Sequence, residues 1–141
     1  MSFSSEHFRI QEAAPGVLAL IAGTTGACVS NAAIVDLGDK TVVFDTFMTL
    51  SAGDDLVAAM EDLTGRRAHL AVNSHWHDDH TGGNQLFAGT PIVATRRTVE
   101  LIAANGTADP AVYAEEVDGY LKWAQEQEQQ AETEERRARA R

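Results

Sequence analysis

Between Asn73 and Asn84 the chain reads NSHWHDDHTGGN, and no other stretch limits the possible folds as strongly. Three of the five histidines and two aspartates fall within residues 75–80, directly behind the β-rich run AHLAVN and directly ahead of Gly82-Gly83. So many costly polar groups in one place need a scaffold that delivers them together, and a strand over 68–73 does so by ending where the histidines begin. In an extended segment residues i and i+2 project to the same side, so His75 and His77 present two imidazoles to one point. Asp79 continues that series, and His80 turns to a second point nearby once the chain bends. The spacing differs from the helical i, i+4 pair of many zinc proteases and suits two adjacent ions. Imidazole and carboxylate without sulfur favour zinc, with iron or manganese acceptable in a mixed site. Asp78 points away from its neighbours in this pattern, and Trp76 alternates with the ligands and packs against the scaffold. His7 and His69 have no partner visible in sequence and are read as surface residues.

Short β-rich runs flank the cluster. Strands are expected over 17–22, 30–37 and 41–46, with Gly38-Asp39 turning the last two into a hairpin. A helix follows, with Ser51 as N-cap, Asp54 three residues on, Leu56, Met60 and Leu63 on one face, and Gly65 as its stop. After the cluster the pattern gives a short helix over 81–87, a strand over 91–95 and a helix over 96–105 closed by Gly106. Asp109-Pro110 has the form of an N-cap followed by an N1 proline. It opens a long helix in which Tyr113, Val117, Tyr120 or Leu121, and Ala124 share a face. Beyond Ala124 only polar and charged residues remain, so the chain divides into 1–106 and a helical segment over 107–141 with a charged tail.

Charge and length narrow the partners. A net charge of −10 opposes binding to nucleic acid or to an anionic membrane surface. The longest apolar run, 17–22, is far too short to span a bilayer, and the first residues do not read as a secretory leader; a cytoplasmic protein is expected. At 141 residues one domain with a real core is the natural size. The single cysteine, Cys28, excludes an internal disulfide and a thiolate cluster and is read as a small, partly buried filler.

SHWHDDHTGGN resembles the signature of the metallo-β-lactamase fold superfamily. The resemblance runs over 17–95 and takes in the SNAAIV strand, the VVFDT strand ending in Asp45-Thr46, and the helix leading to the histidines. It implies an α/β (α+β) fold, the N-terminal half of an αββα sandwich with its site at one edge of the sheets. It also implies a dinuclear zinc hydrolase acting on a small-molecule ester, thioester, lactam or phosphodiester. Carried over by position, His75 and His77 bind the first metal and Asp79 and His80 the second. Asp79 is then required for catalysis, and Asp45 supports the site from outside. Thr46 and the backbone near Gly82 and Gly83 are expected to line the mouth. The family pattern further requires a third histidine, a bridging aspartate and a last histidine, yet no histidine follows His80, and nothing after Thr95 reads as a strand. The expectation is therefore an incomplete hydrolase with an uncovered apolar sheet face that includes Ile34, Val42 and Val72 and drives self-association. The alternative is a non-catalytic metal-binding or association module.

Overall fold

Two glycine turns shape the first four strands. The computed structural model describes residues 3–23, 28–105 and Lys122; Gly106, the helix opened at Asp109-Pro110 and the charged tail lie outside the described residues. Strand β1 (Phe8–Ala14) and strand β2 (Val17–Ala22) pair antiparallel around Pro15-Gly16, with Gly16 at φ +75°. Strand β3 (Ala32–Asp36) and strand β4 (Thr41–Phe44) pair around a turn in which Gly38 takes φ +91° and the Leu37 amide donates to the Lys40 carbonyl at 2.8 Å. The Asp36 carboxylate accepts from the Gly38 amide, and that bond, followed by the Arg66 guanidinium, holds its pKa below the ordinary value.

The sheet then changes character. Strand β5 (Leu70–Val72) runs parallel to β4, and strand β6 (Ile92–Val93) runs parallel to β5, completing the order β1-β2-β3-β4-β5-β6. A parallel neighbour needs a crossover, and helix α1 (Leu50–Thr64) provides the first. The second crossover consists of one helical turn, α2 (Asp78–Thr81), and a 3-10 stretch over Gly82–Phe87. Helix α3 (Arg96–Asn105) follows β6. Among the described residues no helix is long and apolar enough to cross a membrane.

Alternation along the strands sorts residues between the two faces. Leu20, Ile34, Val43 and Ala71 are completely buried on one face against Ala52, Leu56, Ala59 and Met60 of α1, with Phe87 of the 3-10 stretch in the same cluster. Each fully buried Leu, Ile or Met contributes roughly 2 kcal/mol or more. The register puts Val35 opposite Val42, Val42 opposite Leu70, and Phe44 opposite both Ala33 and Val72 on the other face, where Phe44 keeps 41% of its surface exposed.

Several expectations change. Strand β1 is an addition: Pro15-Gly16, a turn dipeptide, signals it, but its mostly exposed, polar pattern conceals it. The cap of α1 is Thr49 and not Ser51, because the Thr49 hydroxyl accepts from the Ala52 amide at 3.3 Å, three residues on; Gly65 ends the helix in the left-handed conformation as expected. Ile34 belongs to the helix-covered face, since it pairs with Val43 and is completely buried, whereas Val42 and Val72 lie on the opposite face. His7 is no surface residue: its side chain keeps 12% exposure, and among the described residues its Nδ1 has no hydrogen-bond partner. Cys28 is buried, and desolvation, with the charge of Asp55 added, raises its thiol from 9.0 to about 11.

Two outcomes follow from this packing. A Cβ on Gly83 would meet the Thr46 carbonyl oxygen at 2.1 Å, so backbone would have to move; Gly83→Ala should destabilise the fold by about 3 kcal/mol in chemical denaturation. The Cys28 thiol should resist a disulfide reagent at pH 8 until the chain is unfolded. Because folding raises this pKa, the unfolded chain loses the proton first as pH climbs, and stability should decline between pH 9 and about 11.

Candidate functional site

The C-terminal ends of β4 and β5, two parallel neighbours, lie side by side, the position at which open α/β sheets place their ligands. Beyond β4 come Asp45 and Thr46, and beyond β5 comes Asn73, with the Asp45 amide donating to the Val72 carbonyl at 2.8 Å. The polar stretch from Asn73 to Asn84 is closed on itself by its first and last residues. Asn84 Nδ2 donates to Asn73 Oδ1 at 2.9 Å, and Asn73 Nδ2 donates to Asn84 Oδ1 at 3.1 Å. Inside this ring the His80 carbonyl accepts from the Thr46 amide at 3.0 Å. Two glycines allow the approach: a Cβ on Gly82 would stand 2.1 Å from the Met48 carbonyl oxygen, and Gly83 presses equally close to Thr46. Thr46 is therefore completely buried and lines no mouth, and the two glycines serve packing.

The chain is extended only through His77, at φ −65° and ψ 146°. The His80 amide then donates to the His77 carbonyl at 3.0 Å, so Asp79 sits on a helical turn and does not continue the extended series. This turn still brings the ligand candidates together. One ligating atom each from His75, Asp79 and His80 lie within 4.8 Å of one another. His77 stands outside that trio, but its Nδ1 is 3.1 Å from His75 Nε2. Asp79 Oδ2 is 3.2 Å from His80 Nε2. The Trp76 ring meets the His77 ring edge-on at 4.5 Å, while Asp78 is exposed.

Asp45 supports these groups from behind. Its carboxylate accepts from the Ser74 amide at 2.8 Å and the Ser74 hydroxyl at 2.7 Å, and His80 Nδ1 stands 2.8 Å away. The side chain is 10% exposed. Asp45 and, two residues later, Phe47 hold positive φ, +58° and +64°, a conformation few non-glycine residues adopt. Asn73, Ser74, Asn84 and Ser30, whose hydroxyl bonds the Asp79 carbonyl, escaped the sequence reading. A signal existed for two of them, since matching asparagines bracket the histidine segment.

These residues fall inside a recognised pattern. The family model of the metallo-beta-lactamase superfamily matches residues 25–139, most of the chain. The chain belongs to the metallo-beta-lactamase superfamily. Among solved metallo-beta-lactamases it is similar to that of Erythrobacter litoralis, at 25% identity and TM-score 0.63, covering 73% of this chain and 48% of that one. It is also similar to the Hirschia baltica enzyme, at 22% identity and TM-score 0.61, covering 72% of this chain and 49% of that one. The mono-zinc form of FIM-1 from Pseudomonas aeruginosa matches at 23% identity and TM-score 0.61, over 70% of this chain and 46% of that one. The lactamase-like protein ptaB of Pestalotiopsis fici is 29% identical over 77 residues, 52% of this chain and 25% of that protein. The chain thus spans about half the length of these structures and a quarter of that relative. It shares the fold of these solved structures over about half of their length.

The support from Asp45 can be tested by Asp45→Asn, which tolerates the same left-handed backbone but sets an amide donor among three donors. We expect a loss of about 2 kcal/mol in thermal or denaturant unfolding. Unchanged stability would show that these bonds do not hold the loop.

Proposed function

We propose that the chain carries part of a dinuclear zinc site of a small-molecule hydrolase, with His75 and His77 on one ion and Asp79 and His80 on the other. The observation that carries this reading is the short contact between His80 Nε2 and the Asp79 carboxylate. The Asp45 carboxylate can only accept, so His80 holds its proton on Nδ1 and, when neutral, turns a bare Nε2 toward the Asp79 carboxylate at 3.2 Å. Two acceptors facing each other need a cation between them. Two donors bound about 2.0–2.1 Å from one tetrahedral ion lie about 3.3–3.4 Å apart, close to this contact and to the 3.1 Å between His75 Nε2 and His77 Nδ1. The His75, Asp79 and His80 atoms lie within 4.8 Å of one another, close enough to gather on an ion, and the dinuclear reading adds His77 beside His75. Nitrogen and oxygen donors fit zinc, with iron or manganese as substitutes.

Zinc in such a site supplies a Lewis acid that polarises an acyl or phosphoryl oxygen and acidifies water. The chain's own groups do the rest. Asp45 fixes the His80 ring, the Asn73–Asn84 pair holds the segment rigid, and Asp79, 28% exposed, is the carboxylate open to a reacting proton. The substrate class is an ester, thioester, lactam or phosphodiester. Two donors per ion fall short of the three that catalytic zinc usually takes from protein, so the remaining ligands come from outside these residues. In the same reading, 1–106 is part of the hydrolase domain. The face with Val42, Phe44 and Val72 is then a self-association surface, checked by sedimentation over a range of concentrations.

Calorimetry with zinc should give weak binding to the wild-type chain. His77→Ala and His80→Ala should each lower affinity by more than the tenfold or so that loss of an outer partner costs; equal metal content in all three would remove the assignment. Turnover of a chromogenic lactam, a thioester and an aryl phosphodiester by these 141 residues alone should be negligible. Robust hydrolysis abolished by Asp79→Ala would overturn the incompleteness and locate the missing ligands in a second copy. Metal binding with no activity even when a complete domain is reconstituted would favour the association module.

A further inference from the structure

We propose that Ser74 is a positioning residue that sets which ring nitrogen His75 offers to a metal. The argument is a count of protons. Ser74 Oγ lies 2.7 Å from Asp45 Oδ2 and 3.0 Å from His75 Nδ1. A hydroxyl has one proton and the carboxylate can only accept, so that proton is spent on Asp45. What Ser74 Oγ has left for His75 is a lone pair. His75 Nδ1 must then carry the hydrogen, and its Nε2 is left bare on the side of His77 Nδ1.

Asp45 Oδ2 also faces His80 Nδ1 at 2.8 Å. A single carboxylate oxygen therefore orders two imidazoles, His80 directly and His75 through the serine hydroxyl. The two rings stand 4.1 Å apart between centroids, His80 with Nδ1 on Asp45 and His75 with Nδ1 on the Ser74 hydroxyl, while their Nε2 atoms face Asp79 and His77 respectively. The Ser74 amide is held separately, on Asp45 Oδ1 at 2.8 Å, so removing the hydroxyl leaves the backbone anchor in place. Ser74 lies at the exposed rim, and its effect therefore rests on these hydroxyl contacts and not on burial. Loss of the hydroxyl should release His75 alone, whereas a change at Asp45 should release both rings.

This inference rests on the metal reading for its consequence and not for its geometry, and the experiment separates the two. Nitrogen-15 spectra of the imidazoles in the metal-free chain should show His75 and His80 with hydrogen on Nδ1. Ser74→Ala should give His75 a population with hydrogen on Nε2 and leave His80 as it was, while Ser74→Thr, which keeps the hydroxyl, should preserve the wild-type pattern. Zinc calorimetry on the same proteins should show Ser74→Ala weaker by about tenfold or more and Ser74→Thr within roughly threefold of wild type. A wild-type His75 with hydrogen on Nε2 overturns the proposal, a result that needs no variant to fold. So does a Ser74→Ala protein that keeps hydrogen on Nδ1, or a Ser74→Thr protein that behaves like the alanine variant. If the wild-type chain binds no zinc, the metal reading fails, and the metal-free spectra still decide the role of Ser74.

Discussion

The Asp45 carboxylate joins what the chain brings from two places. It stands just beyond β4 and accepts hydrogen bonds from Ser74, just beyond β5, while facing His80 on the turn that follows. A carboxylate taking several donors in a largely dehydrated position is strongly held, because each bond to a charged group is worth more than one between neutral partners. The backbone pays in conformation, with positive φ at Asp45 and again at Phe47. A left-handed non-glycine residue costs about 1–2 kcal/mol, and it persists only where surrounding contacts overdetermine it. Here the contacts are the Val72 carbonyl on the Asp45 amide, complete burial of Thr46 and Phe47, and the Gly82-Gly83 backbone against Thr46 and Met48.

The rest of the site depends on that junction. The reciprocal Asn73–Asn84 bonds close a twelve-residue segment whose ends would otherwise diverge after β5. Helix α1 carries Gly53 against the same place, where a Cβ would stand 2.6 Å from a Leu86 methyl carbon. Small residues thus occur at the points where α1, the 3-10 stretch and the end of β4 converge, and a side chain at Gly82 or Gly83 would press on the backbone of Met48 or Thr46. The histidine-bearing loop is held from below by packing and from behind by hydrogen bonds, while His77 and Asp78 remain exposed.

The elements with strong alternation or helical spacing were legible in the sequence. β2 is found at the limits expected, and α1 ends at Gly65 as read. The failures have physical causes. β1 is an edge strand whose outward residues are polar, so its alternation is faint, though Phe8 is buried. Thr49 and Ser51 are both good caps by type, and only the turn geometry decides between them. The face assignment of Ile34 was wrong because side-chain period in a strand is two, and a starting residue misplaced by one exchanges every residue between faces. His7 looked solitary in sequence and is nonetheless largely enclosed at the start of β1.

Residue types and spacing by themselves determined the chemistry available: imidazoles and carboxylates without sulfur, clustered behind a strand, with paired glycines after them. Local spacing also determined that His75 and His77 share an extended segment, because that relation involves only neighbouring dihedral angles. Only the tertiary structure decided that Asp79 and His80 leave that segment on a helical turn, that the glycines admit neighbouring backbone instead of lining a mouth, and that Ser74 and Asp45 stand behind the imidazoles. The last two of those relations join residues some thirty or more positions apart, and their formation depends on the parallel pairing of β4 with β5. No local pattern encodes that pairing, since it is set by burial of one face of the whole sheet against α1.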